Sequence, residues 1–241
     1  MNVRQIDLAR EKLDNATFIT VLTGAGISAE SGIPTFRGKG GLWKQFKPEE
    51  LATPEAFRNR PGIVWEWYHW RRELISKKSP NEGHLSLVKL EEKTRGFTLI
   101  TQNVDGLHAL AGNRNIIELH GTLWKTRCTG CHRVLLDRSL KKPRIPNCKV
   151  CHRELRPHVV WFGEGIDSFD LEGSLKACRE CEVFLVIGTS SVVQPAASFA
   201  SLARSEEAFI IEVNIVPSLQ IKPDISLTGK ASDILPAIIP S

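Results

Sequence analysis

Six short apolar runs are the clearest pattern in this chain, and they predict the strands of a buried sheet. They lie at 18–22, 97–101, 115–119, 183–187, 209–213 and 225–227. Continuous apolar runs of this length are typical of strands covered on both faces. Helical spacing occurs at 6–13, before the first run, and at 81–92, between the first run and the second. Strands alternating with helices predict an α/β fold with a doubly wound parallel sheet.

The segment 43–80 has a different composition from the rest of the chain. Its aromatic residues are Trp43, Phe46, Phe57, Trp65, Trp67, Tyr68 and Trp70. Three prolines, Pro48, Pro54 and Pro61, divide it into short helices, because proline cannot continue a helix from within. We therefore predict a helical insert at 43–80 that packs over the functional site.

Composition places the chain among globular proteins. Its 241 residues are 41% apolar and 24% charged, which allows one large domain or one domain with an insert. The net charge of +5 suits an anionic ligand but is not a nucleic-acid signature by itself. The first fifteen residues are polar, and no apolar run reaches membrane length. We expect a cytoplasmic monomer without a membrane partner.

Four of the six cysteines occur as two CxxC pairs separated by 16 residues: Cys128, Cys131, Cys148 and Cys151. Two such pairs at this distance indicate a zinc site, and four thiolates leave no open position for water. We predict one structural zinc ion in a small ribbon module. The basic side chains between the two CxxC pairs could contact nucleic acid, but no aromatic residue accompanies them to stack on nucleobases. A cluster of solvated charges is therefore favoured.

Cys178 and Cys181 form a third CxxC before the run at 183–187. They lack a second pair, and free cysteine behaves as a small apolar residue. We expect both to be buried for structural reasons.

A glycine-rich turn follows the first predicted strand. Gly24 and Gly26 let the backbone bend sharply, and 27–30 has the composition of a helix start. Strand, glycine turn and helix start together make a pyrophosphate cradle, as in Rossmann-like domains. Ala29 stands where a third glycine would fall, so an ordinary strand-to-helix turn remains an alternative.

Polar residues follow three further strands, at 102–105, 188–190 and Asn214. Ligands of open α/β sheets bind outside the carboxyl ends of the strands. Together with the Gly24 turn, four strand ends would meet at one crevice. The alternative is that small polar residues merely begin loops.

His120 ends the run at 115–119 and precedes Gly121. A histidine in this position can titrate near neutral pH and act as a general base. A histidine with a purely structural role fits the same pattern.

Five motifs in this order, GAGIS, GIPTFRG, TQNVDGLH, ELHG and GTS, resemble those of the sirtuins, the NAD-dependent protein deacylases. The resemblance runs from about Phe18 to the C-terminus. It implies an enzyme that transfers the acyl group of an acyl-lysine protein to ADP-ribose, releasing nicotinamide. It also implies that His120 is the general base and that Asn103 belongs to the catalytic site.

The resemblance implies two further groups of contacts. For NAD they are Gly24, Ala25, Gly26, Ile27, Ser28, Phe36, Arg37, Trp43, Gln102, Asn103, Val104, Asp105, Gly188, Thr189, Ser190, Asn214, Ile215, Val216 and Ala231. For the substrate they are Tyr68, Arg71, Val160, Phe162, Gly163, Glu164 and Val193. The stretch 159–164 would pair with the substrate backbone by strand addition.

Arg71 interrupts an apolar helical face in the insert. It lies three residues after Tyr68 and four before Ile75, where the periodicity calls for an apolar side chain. A buried guanidinium is costly without a partner, and Tyr68 and Arg71 together could hold a carboxylate. The Tyr-x-x-Arg spacing also resembles sirtuins that remove succinyl, malonyl and glutaryl groups. Alternatively, Arg71 extends to solvent or meets an acid of another segment.

The predicted domains are a Rossmann-like NAD-binding domain (1–42, 81–122 and 158–241), the helical insert with the acyl pocket (43–80) and the zinc-binding module (123–157). Two alternatives to deacylation remain at this point. One is a protein ADP-ribosyltransferase on the same fold, and the other is a non-catalytic protein that binds NAD or nucleic acid. We do not expect a nucleic-acid partner.

Overall fold

The computed structural model describes residues 3–36, 41–140 and 144–239, with the backbone but not the side chain of Trp43. Its main sheet has six parallel strands: β1 (Phe18–Thr23), β2 (Gly96–Thr101), β3 (Ile116–Glu118), β7 (Val183–Ile187), β8 (Phe209–Asn214) and β9 (Ile225–Thr228). Their order across the sheet is β3-β2-β1-β7-β8-β9. All six predicted strands are confirmed. The strand order reverses between β1 and β7, which is where doubly wound sheets bind dinucleotides.

Helices cover both faces of this sheet. They are α1 (Val3–Asn15), α2 (Ala25–Ala29), α6 (Glu82–Lys93), α7 (Leu107–Ala111), α8 (Ser168–Glu180), α9 (Ala196–Ser205) and α10 (Ala231–Ile238). One apolar cluster contains buried residues of α1, α6 and α10, and a second contains buried residues of α8 and α9. The doubly wound architecture predicted from the strand pattern is therefore present.

The insert consists of a short 3-10 turn (Leu42–Lys44) and three helices, α3 (Pro48–Leu51), α4 (Pro54–Asn59) and α5 (Pro61–Ser76). Each α-helix begins at one of the three prolines. Proline is well suited to this position because the first helical residue needs no hydrogen-bond donor. The prolines that predicted short helices thus mark their first residues.

A second, three-stranded antiparallel sheet belongs to the zinc module. Cys128 ends one of its strands, and the other three cysteines of the module lie in the connections between strands. Its strands are β4 (Gly121–Cys128), β5 (Val134–Leu136) and β6 (Leu155–Val159), in the order β5-β4-β6. The module was predicted to span 123–157, and the three strands with their connections span 121–159.

The insert and the zinc module share one hydrophobic core, although the sequence suggested two separate additions. Trp65 of α5 is fully buried and donates its indole N–H to the Leu155 carbonyl at 2.9 Å. Arg72, also fully buried, forms a salt bridge with Asp137 at 3.1 Å. Helix α5 is thereby fixed against both β6 and the loop after β5.

No helix in the described part of the chain has the length and apolarity needed to cross a membrane.

Two buried histidines lie beneath the carboxyl ends of β1 and β2. The rings of His84 and His108 are 4.8 Å apart, and His108 Nε2 lies 3.0 Å from the Thr23 hydroxyl. His84 Nδ1 accepts the Asn81 backbone N–H at 3.3 Å and so carries no proton. Burial lowers the pKa of His84 to about 4, and burial together with the neighbouring His84 lowers that of His108 well below its usual range.

This pair predicts a loss of stability in mild acid. Below about pH 6.5 the unfolded chain protonates these histidines, whereas the folded protein protonates His84 only near its lowered pKa. The free energy of unfolding should therefore decrease as pH falls from about 6.5 toward 4, by up to roughly 1.4 kcal/mol per pH unit for each histidine.

The variant His84→Asn keeps an acceptor for the Asn81 N–H but cannot take up a proton. Urea unfolding between pH 7.5 and 5.5, with zinc present, should show a shallower pH dependence for the variant than for the wild type. Equal slopes would show that His84 does not contribute.

Candidate active site

Two backbone segments meet at the switch point more closely than side chains would allow. Gly24 N–H donates to the Ile187 carbonyl at 2.9 Å, and Gly26 N–H donates to the Gly188 carbonyl at 2.8 Å. A Cβ added to Gly26 would lie 2.6 Å from Gly188 Cα. Gly188 itself has φ of +58°, which favours glycine. These two N–H groups join the glycine turn to the end of β7.

Polar side chains from the neighbouring strand ends hold this turn from both sides. Asn103 Nδ2 donates to the Gly24 carbonyl at 2.9 Å. Gln102 Nε2 donates to the Thr189 hydroxyl at 3.0 Å, and Asn214 Nδ2 to the Thr189 carbonyl at 2.9 Å. The four strand ends predicted to converge are thus in hydrogen-bonded contact.

These strand ends form one end of a cleft of about 1150 Å³ that extends beneath the helical insert. Predicted NAD contacts that line it are Gly24, Ala25, Gly26, Phe36, Gln102, Asn103, Val104, Gly188, Thr189, Ser190, Asn214, Ile215 and Val216. All seven predicted substrate contacts line the same cleft: Tyr68, Arg71, Val160, Phe162, Gly163, Glu164 and Val193. His120 lies among them. The residues predicted to contact the cofactor and those predicted to contact the substrate therefore share one cavity.

Four predicted NAD contacts lie outside the lining of this cleft: Ile27, Ser28, Asp105 and Ala231. The buried Asp105 carboxylate accepts the Leu107 backbone N–H at 2.8 Å, and desolvation raises its pKa. The Ala231 backbone N–H donates to Glu30 at 2.9 Å. Arg37 lies outside the described residues, as does the side chain of Trp43.

The orientation of His120 leaves its Nε2 without a hydrogen bond to the described residues. Its Nδ1 lies 3.1 Å from the Gln102 backbone carbonyl. A carbonyl only accepts hydrogen bonds, so Nδ1 carries the proton and Nε2 carries the lone pair. Burial lowers the pKa of His120, although the hydrogen bond to Gln102 raises it in part. Neutral His120 can therefore act as a general base in the cleft at neutral pH.

The insert contributes an aromatic pocket with a buried cation to this cleft. The Arg71 guanidinium lies 4.6 Å from the centroid of Phe36 and 5.3 Å from that of Trp67. Arg71 is only 5% exposed, which excludes the alternative that it extends to solvent. No carboxylate of the described residues forms a salt bridge with it. Burial lowers its pKa to about 10, so it still carries its charge at neutral pH.

The stretch 159–164 runs along the cleft between His120 and the insert. Val160 N–H donates to the His120 carbonyl, and Phe162 N–H donates to the Ala52 carbonyl, both at 2.9 Å. Glu164, predicted to contact substrate, has its carboxylate hydrogen-bonded by Arg156 at 2.5 and 2.9 Å. Glu164 therefore holds this stretch in place from within the protein.

Several lining residues were not predicted from the sequence: Ala52, Thr35, Trp67, Trp161 and the loop 217–220. Trp67 stood on the predicted apolar face and Trp161 within the predicted substrate stretch, but neither was named as a contact. Ala52 shows no signal at all in the sequence.

The four cysteines of the zinc module are arranged as a metal site. Their Sγ atoms all lie within 4.8 Å of one another, with Cys128 and Cys151 3.3 Å apart. Gly130 and Cys131 donate backbone N–H groups to Cys128 Sγ, and Val150 donates one to Cys148 Sγ. Such N–H groups stabilise thiolates, so this donor set fits one structural Zn²⁺ ion. Cys178 and Cys181 are buried as thiols, as expected.

Comparison with known proteins gives a consistent result. A family model described as "Sir2 family" matches residues 24–195. A protein of Aquifex aeolicus named NAD-dependent protein deacylase is 55% identical over 203 residues, which are 84% of each chain. A protein of Pyrococcus furiosus with the same name is 45% identical over 235 residues and covers 94% of each chain.

Solved structures agree with this result. A mutant Sir2 homologue in complex with ADP-ribose superimposes with a TM-score of 0.93 at 43% identity, covering 97% of this chain and 94% of that one. A Sir2 homologue in complex with NAD has a TM-score of 0.91 at 43% identity, with 97% and 92% covered. A Sir2 complex with a deacetylated p53 peptide and 3′-O-acetyl-ADP-ribose has a TM-score of 0.86 at 28% identity, with 97% and 96% covered.

The thiolate cluster predicts a dependence of folding on zinc. Cys131→Ser should lose the metal and much of the stability, because structural zinc contributes roughly 10 kcal/mol in small modules. Cys178→Ser is the matched control, since this cysteine also belongs to a CxxC pair but lies outside the cluster. Metal analysis should find one zinc per chain in the control and none in Cys131→Ser. A zinc-free Cys131→Ser protein with wild-type stability would contradict the assignment.

Proposed function

Because the chain belongs to the Sir2 family, we propose that it is an NAD-dependent protein-lysine deacylase. Acyl-lysine, NAD and one water molecule would give the free lysine, nicotinamide and O-acyl-ADP-ribose. The observation that carries this proposal is the position of His120, whose unprotonated Nε2 is available in the same cleft as the glycine turn and Asn103. A binding protein without turnover would not need a histidine with a lowered pKa and a free nitrogen there.

The strand ends would hold NAD by backbone and amide groups. Asn103, Gln102 and Asn214 are fixed by hydrogen bonds to the turn and to the Thr189 loop, so little reorganisation is needed when a ligand binds. NAD, when bound, supplies a ribose carbon that accepts the acyl oxygen as nicotinamide leaves. His120 would then remove a proton from a ribose hydroxyl. Phe36 would cover the reacting atoms from the side of the insert.

The protein substrate would enter along the stretch 159–164. Recognition would come from backbone pairing with this stretch and with Val193 opposite, and would depend little on substrate sequence. We propose acyl-lysine proteins of the cytoplasm as substrates and a monomer as the active form. Four cysteines arranged to hold zinc, rather than paired in disulfides, support a reducing compartment.

We further propose a preference for acyl groups with a terminal carboxylate, such as succinyl. The buried Arg71 has aromatic neighbours and interacts electrostatically with the buried Asp105, but it forms no salt bridge with a carboxylate of the described residues. Tyr68 lies three residues earlier on the same helical face, with its ring buried beside that of Trp67. A carboxylate supplied by the substrate would offset the cost of burying this cation. Acetyl groups lack that carboxylate but still fit the pocket.

For His120 we expect that replacement by alanine lowers the deacylation rate by at least ~100-fold, the low end for general base catalysis. NAD binding, measured by calorimetry, should be retained. In the wild type, kcat/KM should decrease as pH falls through an apparent pKa below about 6.5, because only neutral His120 accepts a proton. An acid limb above pH 7, or a folded variant with nearly normal turnover, would exclude His120 as the base.

For Arg71 we expect that Arg71→Met removes the preference for succinyl-lysine and spares deacetylation. A charge-assisted hydrogen bond contributes roughly 1.5–3 kcal/mol, or about ten- to a hundredfold in kcat/KM. Arg138→Met, which removes an exposed arginine of the zinc module, is the control for loss of charge alone. Equal succinyl-to-acetyl ratios for the wild type and Arg71→Met would leave a deacetylase without acidic preference.

A further inference from the structure

The Tyr68 hydroxyl receives a hydrogen bond that determines what it can still offer a ligand. Trp161 Nε1 lies 2.8 Å from the Tyr68 oxygen. An indole N–H can only donate, so the phenolic oxygen is the acceptor in this contact. This is the only hydrogen bond of the Tyr68 hydroxyl to the described residues. The phenolic proton is therefore left for an acceptor that arrives with the substrate.

Trp161 is itself held from two sides. The Arg156 guanidinium stacks 3.4 Å from the centroid of its indole ring, and the Trp161 backbone N–H donates to Glu164 at 2.9 Å. Arg156 in turn binds both oxygens of Glu164. This bidentate pair is nearly buried, with the Arg156 side chain 9% and the Glu164 side chain 20% exposed. The indole N–H is thus aimed at Tyr68 by a rigid support.

The surroundings of Tyr68 favour the neutral phenol. Burial raises the pKa of Tyr68 to about 12, so the hydroxyl keeps its proton at any working pH. Its ring packs edge-on against Trp67 at 4.7 Å, which restricts its movement. The pocket therefore offers an O–H donor from Tyr68 next to the Arg71 cation. Both groups suit a carboxylate, whereas a hydroxyl with its lone pairs turned toward the ligand would repel it.

We propose that Trp161 is a positioning residue for acyl specificity: its indole N–H occupies the acceptor side of Tyr68 and directs the phenolic proton toward the terminal carboxylate of an acidic acyl chain. This inference rests on the proposed preference for acidic acyl groups and extends it to a residue 93 positions away in the chain. Trp161 does not need to touch the carboxylate. An acetyl group lacks the carboxylate, so its removal should not depend on this contact.

The test uses Trp161→Phe, which deletes the N–H but keeps an aromatic ring against Arg156. For a succinyl-lysine peptide, kcat/KM should fall about three- to tenfold, the usual range for a neutral hydrogen bond. The change should appear mainly in KM, because the contact exists in the bound ground state as well as in the transition state. For the acetyl-lysine peptide, kcat/KM should fall by less, so that the succinyl-to-acetyl ratio decreases.

Trp65→Phe is the matched control. It also removes a buried indole N–H, but that group donates to the Leu155 carbonyl and not to Tyr68. The succinyl-to-acetyl ratio of this variant should equal that of the wild type. A drop in the ratio as large as that of Trp161→Phe would mean that any loss of packing around α5 changes specificity, and would overturn the proposal.

A double-mutant cycle with Tyr68→Phe isolates the pairwise effect. If Trp161 acts through the Tyr68 hydroxyl, adding Trp161→Phe to Tyr68→Phe should cause no further loss of succinyl preference. Additive losses would overturn the proposal. Should Trp161→Phe give no soluble protein, Glu164→Gln takes its place, because it weakens the support of Trp161. It should lower the ratio in the same direction, and an unchanged ratio would count against the proposal.

The outcomes also separate this inference from the proposed function. If the wild type shows no preference for succinyl-lysine, the acidic-acyl proposal fails and this inference fails with it. If the wild type prefers succinyl-lysine and Tyr68→Phe loses that preference while Trp161→Phe keeps it, only the role of Trp161 is wrong.

Discussion

The close approach of the β1 turn to the end of β7 is the constraint on which the active site depends. A Cβ on Gly24 would lie 2.8 Å from the Gly188 carbonyl oxygen, and one on Gly188 would lie 2.6 Å from Ile27 N. Only glycine backbones can meet at these distances. Once they meet, the turn provides the Gly24 carbonyl that fixes Asn103, and the neighbouring Thr189 fixes Gln102 and Asn214. His120 is oriented in turn by the carbonyl of Gln102.

The acyl pocket depends on a different support, the core shared by the insert and the zinc module. Helix α5 carries Tyr68 and Arg71 toward the cleft and presses Trp65 and Arg72 against the zinc module. The zinc ion would therefore act at a distance from the chemistry, by fixing the helix that selects the acyl group. Phe36 belongs to the same cluster, which links the loop after α2 to this pocket.

The sequence predicted the main sheet well because each buried strand leaves a continuous apolar run. It did not predict β4 and β6, in which apolar and polar residues are mixed, or β5, whose apolar residues are exposed. It also did not predict α8, in which only Ser174 and Cys178 are buried. The glycine turn, His120, Arg71 and the cysteines could be found because each breaks a local pattern. The orientation of the His120 ring and the contact between Trp161 and Tyr68 could not be found in this way. They depend on atoms that are 18 and 93 residues apart in the chain.

The most direct test of the central claim follows the acyl group itself. The protein would be incubated with NAD and a peptide carrying one succinyl- or acetyl-lysine, and all products would be identified by mass spectrometry. We predict one nicotinamide and one O-acyl-ADP-ribose for every lysine freed, and no reaction without NAD. A peptide that gains the mass of ADP-ribose and keeps its acyl group would contradict deacylation and indicate an ADP-ribosyltransferase.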